Sequence, residues 1–315
     1  MIVTLTANPS LDRAVTLGAE LRVGEVQAAL AVREDAGGKG INVAGVIAAA
    51  GHSTLAVLPL DGGDPFAAVL HATGLPVAPV ALAGAARANL TIADGEGVTT
   101  KINLPGVTRT AADADALIAA TVTAARGAEW LVLAGSLPPG MSDDFYVEVI
   151  SAVRADSDAP PRIAVDTSGP ALQAVVDRGA PDLIKPNDEE LVELTDIPLD
   201  RDRDLADAVR VVAAELVPSR VGAAFVTLGA QGAVLVTASG AWYGSPPPTR
   251  VRSTVGAGDS SLAGFLLADV AGAAPAECVR HGIRYGSAAA ALPGTQAPTP
   301  ADLLPGEVPV RPLSR

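Results

Sequence analysis

Short apolar runs alternate with amphipathic stretches along most of this chain. Ile2 to Ala7, Thr54 to Pro59, Glu129 to Leu133, Arg162 to Val165, Asp182 to Ile184 and Ala223 to Val226 are brief and rich in Val, Leu, Ile and Ala. Runs of this kind suit strands buried on both faces of a parallel sheet. Between them the spacing predicts helices at about Pro65 to Ala72, Ala111 to Arg126, Asp202 to Leu216 and Pro275 to Leu292. Ser142 is placed to cap a further helix from about Asp143 to Arg154. Regular alternation of strand and helix argues for an α/β fold, a mostly parallel sheet covered on both faces. No fixed-period repeat and no linker divides the chain, so residues 1–315 read as one domain.

Two segments break the alternation. Ala14 to Leu17 and Gln27 to Arg33 look like exposed strands. Asn89 to Ala93 pairs with Val98 to Asn103 across Asp94-Gly-Glu-Gly97, a hairpin signal. Residues of about 14–34 and 86–104 are therefore small β pieces inserted between βα units. The proline-rich tail from Pro293 is expected to wrap the surface or stay partly disordered.

Polar and glycine-rich clusters follow the predicted strands, and in open parallel sheets that edge binds ligands. The most telling is Thr254-Val-Gly-Ala-Gly-Asp259, after an extended run from Thr249 to Val255. Gly256 and Gly258 permit a sharp turn into a helix, leaving the N–H groups of Gly256, Ala257 and Gly258 without intrahelical partners. Such a nest attracts anions. Asp259 beside it is either a mere helix cap or a carboxylate that takes the proton of an attacking hydroxyl while the amides hold a transferring phosphoryl group. A second glycine-rich helix start, Gly37-Gly38-Lys39-Gly40 with Asn42 one turn on, favours an anion over a simple hinge. Asp12, in the loop Asn8 to Arg13, is a hydroxyl binder or a solvated turn residue. Arg87 alone reads as a surface arginine.

Composition narrows the partners. The 315 residues carry a formal net charge of −13, which argues against nucleic acid and anionic membrane surfaces. An anionic substrate would need cations built in locally. The one cysteine, Cys278, excludes a disulfide framework and a cysteine-rich metal site. The first residues lack a signal-peptide pattern and no run spans a membrane, so a cytoplasmic home is expected. There is no GxxxxGK[ST], Ser261 replaces the last glycine of GxGxxG, and Ser136 is not in GxSxG. His52, His71 and His281 lie outside the strand-end clusters, which disfavours a Ser-His-Asp hydrolase.

Thr227-Leu-Gly-Ala-Gln-Gly232 and Thr254-Val-Gly-Ala-Gly-Asp259 resemble the nucleotide and catalytic signatures of the ribokinase/PfkB sugar kinases. Gly37-Gly-Lys-Gly-Ile-Asn-Val-Ala44 matches the family's first signature, and Lys185-Pro-Asn187 with Glu190 its NxxE motif. The resemblance runs in the family's order from Ile2 to about Thr295. It implies a ribokinase-like three-layer α/β/α sandwich with a small β-lid, the lid being the segments 14–34 and 86–104. In relatives the lid often pairs two subunits, which implies a homodimer.

Asn8 to Arg13, Arg87-x-Asn89 and Leu133-Ala-Gly-Ser136-Leu-Pro-Pro-Gly140 resemble the phosphohexose branch, whose members phosphorylate fructose 1-phosphate or tagatose 6-phosphate. The absence of an acid at Ser253 fits that branch. The resemblance implies fructose 1-phosphate as substrate, with tagatose 6-phosphate or fructose 6-phosphate as alternatives. A silent sugar-phosphate sensor on the same fold would lack the base or the anion hole, and both are intact. By carry-over Asp259 is the base, and Gly256, Ala257 and Gly258 form the anion hole. Asp12 and Asn42 hold sugar hydroxyls, while Gly38, Lys39, Arg87, Asn89, Asn103 and Ser136 surround the substrate phosphate or ring. Lys185, Asn187, Thr227, Gly229 and Gly232 hold ATP. Glu190 orders the water shell of Mg²⁺, Asp166 assists, and K⁺ is a further cofactor of some relatives. Two positions depart from the family pattern. Ser261 replaces a bulky apolar residue, which would loosen its helix, and Ala86 stands where threonine is common.

Overall fold

The computed structural model describes residues 1–96, 98–294 and 296–314. Gly97 of the expected hairpin turn and Thr295, where the resemblance ends, lie outside them. Strand β1 (Ile2–Leu5) leads into β2 (Ser10–Leu17), β3 (Ala29–Gly37) and helix α1 (Lys39–Ala49). Next come β4 (Thr54–Leu60), α2 (Pro65–Ala72), β5 (Val77–Ala81), β6 (Arg87–Ala93), β7 (Thr99–Asn103) and α3 (Ala111–Ala125). The regular part continues with β8 (Trp130–Ala134), α4 (Phe145–Asp156), β9 (Arg162–Asp166), α5 (Gly169–Ala174), β10 (Leu183–Ile184), α6 (Asp188–Thr195) and α7 (Leu205–Ala213). The chain closes with β11 (Ala223–Thr227), β12 (Ala233–Thr237), β13 (Gly240–Gly244), α8 (Ala257–Val270), α9 (Pro275–Ala291) and β14 (Val310–Leu313).

Ten strands form the main sheet in the order β14-β13-β12-β11-β10-β9-β8-β1-β4-β5. The run from β11 to β5 is parallel, and β12, β13 and β14 add on antiparallel. Alternate residues of each strand feed two cores. Val3, Leu5, Leu131, Leu133, Ile163 and Val165 pack toward the side of α3 to α7. Ile2, Trp130, Val132, Ala164 and Phe225 pack toward α1, α8 and α9. This double burial explains why the strands read as unbroken apolar runs, and it makes the three-layer sandwich that the resemblance implied.

The second sheet has the order β3-β2-β6-β7. Its register puts Asp35, Asp12, Asn89 and Asn103 in one row across one face, since facing residues of neighbouring strands share a side. Ser10 and Arg87 form the next row on that face. Val15, Val32, Leu90, Ile92 and Ile102 take the other face, where Val32 and Ile102 are exposed. One side of the lid is thus polar, and the other is largely apolar with the Arg13–Glu34 ion pair in the row of Leu90 and Ile102.

Several expectations need correction. The loop expected from Asn8 to Arg13 is half strand, because β2 begins at Ser10 and pairs with β6. Ser142 does not cap α4. It accepts from Asp144 N at 3.2 Å in a turn, and the helix starts at Phe145. The helix expected from Asp202 starts at Leu205, where Asp204 accepts from Ala206 N and stops its upstream extension. Thr249 to Val255 is no strand. Arg252 N and Ser253 N instead donate to Ala290 O at the end of α9, which fixes the segment as a loop. Of the two readings of the tail, the extended one holds at its end. Residues 310–313 form β14 on the sheet edge, with Leu313 buried against the core and Pro312 tolerated because the strand is outermost. Ser261 does not loosen α8. It lies buried against α9, where a Cβ added to Gly286 would stand 3.3 Å from Ser261 Cβ, so a bulky residue there would push the helices apart.

Candidate active site

Asp259 is the third residue of α8, and its side chain caps nothing. Gly256 precedes the helix with φ of 75°, a left-handed turn that an L side chain would strain. Among the described residues the N–H groups of Gly256, Gly258 and Asp259 have no partner. Ala257 N reaches Thr254 O at a long 3.4 Å, so Asp259 N takes its place in the expected set. The outcome is still a row of amides aimed away from the helix at a positive dipole end. Asp259 itself is 6 % exposed and accepts from Asn42 Nδ2 at 2.8 Å. Burial pushes its carboxyl up to about 6, and the nearby Asp166 charge adds to the rise. Lys39, Asn42 and Lys185 hold it from rising further. A carboxylate poised there is ionised at neutral pH yet basic enough to take a proton.

Beneath it lies a charge cluster whose members come from three elements. Asp166 ends β9 fully buried, Lys39 opens α1, and Lys185 follows β10 at 5 % exposure. Lys39 Nζ is 2.7 Å from Asp166 Oδ1, and Lys185 Nζ is 3.1 Å from Oδ2. Burial alone would raise the Asp166 carboxyl, but Lys185 and Lys39 outweigh it and hold it below the usual range. Lys39 is likewise held protonated: burial opposes its charge, and Asp166, Asp259 and Glu190 restore it. Lys185 Nζ would stand 3.3 Å from a Cβ on Gly258, directly under the amide row. Two ammonium groups lie beside the free amides, and Asp166 and Asp259 balance their charge within the cluster.

The lid contributes a separate polar group. Asp12 accepts from Ser10 Oγ at 2.7 Å and from Asn89 Nδ2 at 2.8 Å, both at Oδ1. Burial raises its carboxyl, and Ser10, Asn89 and Arg87 counter the rise. Arg87 is half-buried beside it, and its Nε has no protein partner. Asn103 faces Asn89 across the β6–β7 ladder and is exposed. Ser136, exposed after β8, accepts from Asn8 Nδ2 at 3.4 Å. Gly38 links β3 directly to α1, so the lid strand carrying Asp35 runs straight into the helix that bears Lys39 and Asn42.

A cavity of about 640 Å³ opens on the other side of the α8 start. Asn187, Thr227, Gly229, Gly232 and Gly258 line it, whereas Lys185 and Glu190, also expected at the nucleotide, do not. Gly232 has φ of 101°, and a Cβ there would meet Gly244 O at 1.9 Å, so only glycine fits this hairpin. Asn187 and Glu190 form a reciprocal cap on α6. Asn187 Oδ1 accepts from Glu190 N at 2.7 Å, and Glu190 Oε2 accepts from Asn187 N at 2.9 Å. Sequence reasoning missed Pro246 to Thr249, Thr254, Ser261, Gly286 and Ser287 as lining. Small residues in α9 were the available signal, but they fit close helix packing equally well.

Among the described residues no group of three or more His, Cys, Asp or Glu could hold a metal ion by itself. The site fits Mg²⁺ in another way. Glu190 keeps one oxygen outside its cap, and Mg²⁺ is commonly held by phosphate oxygens, water and one or two carboxylates. No described helix is long and apolar enough to cross a membrane.

The family model for pfkB family carbohydrate kinases matches residues 7–302. The chain is 39% identical over 305 residues to 1-phosphofructokinase of Rhodobacter capsulatus, covering 95% of this chain and 93% of that one. It is 36% identical over 299 residues to ATP-dependent 6-phosphofructokinase isozyme 2 of Escherichia coli strain K12, covering 94% of each. Phosphofructokinase-2 from Escherichia coli in complex with substrates and products superposes with a TM-score of 0.87 at 34% identity, over 96% of each chain. Arabidopsis thaliana ribokinase shares the fold, with a TM-score of 0.71 at 23% identity over 93% of each chain. A buried carboxylate beside free helix-start amides, a matching family model and relatives that align almost end to end agree, and the chain belongs to the pfkB family of carbohydrate kinases.

Proposed function

We propose that residues 1–315 form one kinase domain that transfers the γ-phosphoryl group of ATP to fructose 1-phosphate, giving fructose 1,6-bisphosphate. One observation carries the reading: buried Asp259, poised near pH 6, sits at the end of a row of free amides that also lines a nucleotide-sized cavity. The relative from Rhodobacter capsulatus supports the choice of sugar. Fructose 6-phosphate is the second reading, supported by the isozyme from Escherichia coli, and tagatose 6-phosphate is the third.

The sugar hydroxyl attacks the γ-phosphorus, the bond to the β-phosphate oxygen breaks, and Asp259 takes the hydroxyl proton. The free amides at Gly256, Gly258 and Asp259 hold the charge on the transferring group. Asp12 and Asn42 orient sugar hydroxyls. Lys39, Arg87, Asn89, Asn103 and Ser136 surround the sugar phosphate and ring, and Gly38 lets the chain pass close. Lys185, Asn187, Thr227, Gly229 and Gly232 hold ATP. Glu190, through water, would hold Mg²⁺, which would neutralise phosphate charge when bound, whereas both oxygens of the buried Asp166 are taken by Lys39 and Lys185. K⁺ completes the cofactors in this reading, prompted by the potassium complex of phosphofructokinase-2 from Escherichia coli. The proposed setting is the cytoplasm. Steady-state kcat/KM across phosphorylated and free ketohexoses tests the substrate, with fructose 1-phosphate expected to lead.

The second sheet is the lid of this reading, and we propose that its apolar face pairs with the same face of a second copy. Val32, 58% exposed, and Ile102, 47% exposed, stand on a face that water would otherwise cover. Light scattering is expected to give twice the mass of one chain, and Ile102→Asp is expected to halve it. A monomeric wild type would contradict the pairing.

A further inference from the structure

The segment that carries the chain from β5 into β6 is gripped by side chains with no part in the site above. Asp61 Oδ1 accepts from Gly63 N at 3.0 Å, and its Oδ2 accepts from Gly84 N at 2.9 Å. Asp64 also uses both oxygens. Oδ1 caps α2 by accepting from Phe66 N at 3.0 Å, and Oδ2 accepts from Ala86 N at 2.5 Å. Arg109 is 8 % exposed and donates from Nη1 to Ala83 O at 2.8 Å. Its backbone N–H donates to Pro139 O at 2.8 Å, in the same loop as Ser136. Val107 closes the arrangement, since a Cβ on Gly84 would stand 3.0 Å from its methyl groups.

Residues 83, 84 and 86 are therefore fixed by three separate side chains, and the next residue is Arg87. Asp61, Asp64, Arg87 and Arg109 border one small polar cavity. Ala83 and Ala85 are exposed, and Ala86 has no polar side chain, so the segment cannot anchor itself. Without the grip it would be a short free loop between two sheets. A long arginine side chain on a free root would lose much of its binding energy to ordering, whereas a fixed root spends that entropy at folding.

We propose that Asp61, Asp64 and Arg109 form a clamp on the root of the lid that positions Arg87 for the phosphorylated sugar, with Asp64 its central member. The inference rests on the reading of Arg87 as a substrate contact. Asp64→Asn separates the two jobs of this residue. Asparagine caps a helix about as well as aspartate, so α2 is kept. Its amide nitrogen would face the Ala86 N–H, donor against donor, so the clamp is lost.

The expected result is a KM for fructose 1-phosphate raised about tenfold, the upper end of what ordering one long side chain costs on binding. The kcat and the KM for ATP stay within about twofold, because ground-state positioning of one substrate is what has changed. Asp61→Asn, which leaves α2 untouched, is expected to move the same constant in the same direction. Arg87→Ala alone raises the sugar KM, and adding Asp64→Asn to it raises it no further. If Arg87→Ala raises the sugar KM while Asp64→Asn and Asp61→Asn do not, the clamp is refuted and the reading of Arg87 stands. Effects that multiply in the double variant also refute it. An Arg87→Ala variant with an unchanged sugar KM refutes the reading of Arg87, and the clamp with it.

Discussion

Asp259→Asn lowers kcat by about 10²-fold or more while the KM for ATP stays near that of the parent, because a positioned general base is typically worth that much. Asparagine has the same shape and still accepts from Asn42 Nδ2, which lies 2.8 Å from the carboxylate. What it loses is the capacity to take a proton. Stability separates this from structural damage. The folded-state pKa of Asp259 is raised to about 6, so its contribution to stability is present below its ordinary value of 3.8 and is lost as pH rises through 6. At neutral pH the ionised group is a cost of folding that asparagine does not carry. The variant is therefore expected to melt no lower than the parent at pH 7. Scanning calorimetry with single-turnover kinetics checks both halves. Near-normal turnover would take the role from Asp259, and a lower melting point would assign the loss to damage.

Asp166→Asn is expected to act on two readouts in known directions. In the parent, kcat/KM falls as pH drops through about 6, because Asp259 must be ionised to act. The Asp166 charge is one of the causes that raise Asp259, while Lys39 and Lys185 lower it. Removing the Asp166 charge leaves the two ammonium groups unopposed, so the acid limb of the profile moves to lower pH. The same change strips a fully buried ion pair of its carboxylate and leaves Lys185, 5 % exposed, short of a partner. Breaking one side of a buried pair costs about 3–5 kcal/mol, and the partly exposed Lys39, whose charge water can take up, places this cluster at the lower end. Urea unfolding is expected to show a lower midpoint with an unchanged slope. An acid limb that stays or moves upward would cut the electrostatic link between Asp166 and Asp259.

How far the sequence carried these conclusions differs from residue to residue. Glu129 to Leu133 announced a buried strand because both faces of the sheet are covered, and Gly256 to Asp259 announced free amides because the turn and the helix start are adjacent in the chain. Local chemistry of that kind is legible. The lid row was not. Asp12 meets Asn89 only because β2 pairs in parallel with β6, and the two residues are 77 positions apart. Asp166 appeared as a weak candidate for the metal, yet it anchors two lysines that arrive from α1 and from the end of β10. Glu190 read as a metal helper, and one of its oxygens turns out to close a helix cap with Asn187. The tail read as a surface wrap or partly disordered because of its prolines. An outermost strand removes that objection, and β13 would otherwise present an open edge.

The central claim is phosphoryl transfer from ATP to fructose 1-phosphate. The most direct test is ADP release measured on fructose 1-phosphate, fructose 6-phosphate, tagatose 6-phosphate and fructose, with the sugar products identified by phosphorus NMR. The highest kcat/KM is expected on fructose 1-phosphate, with fructose 1,6-bisphosphate as its product and little turnover of free fructose. Equal or better turnover of a 6-phosphate would contradict the assigned substrate, and no turnover of any of the four would contradict the proposed activity itself.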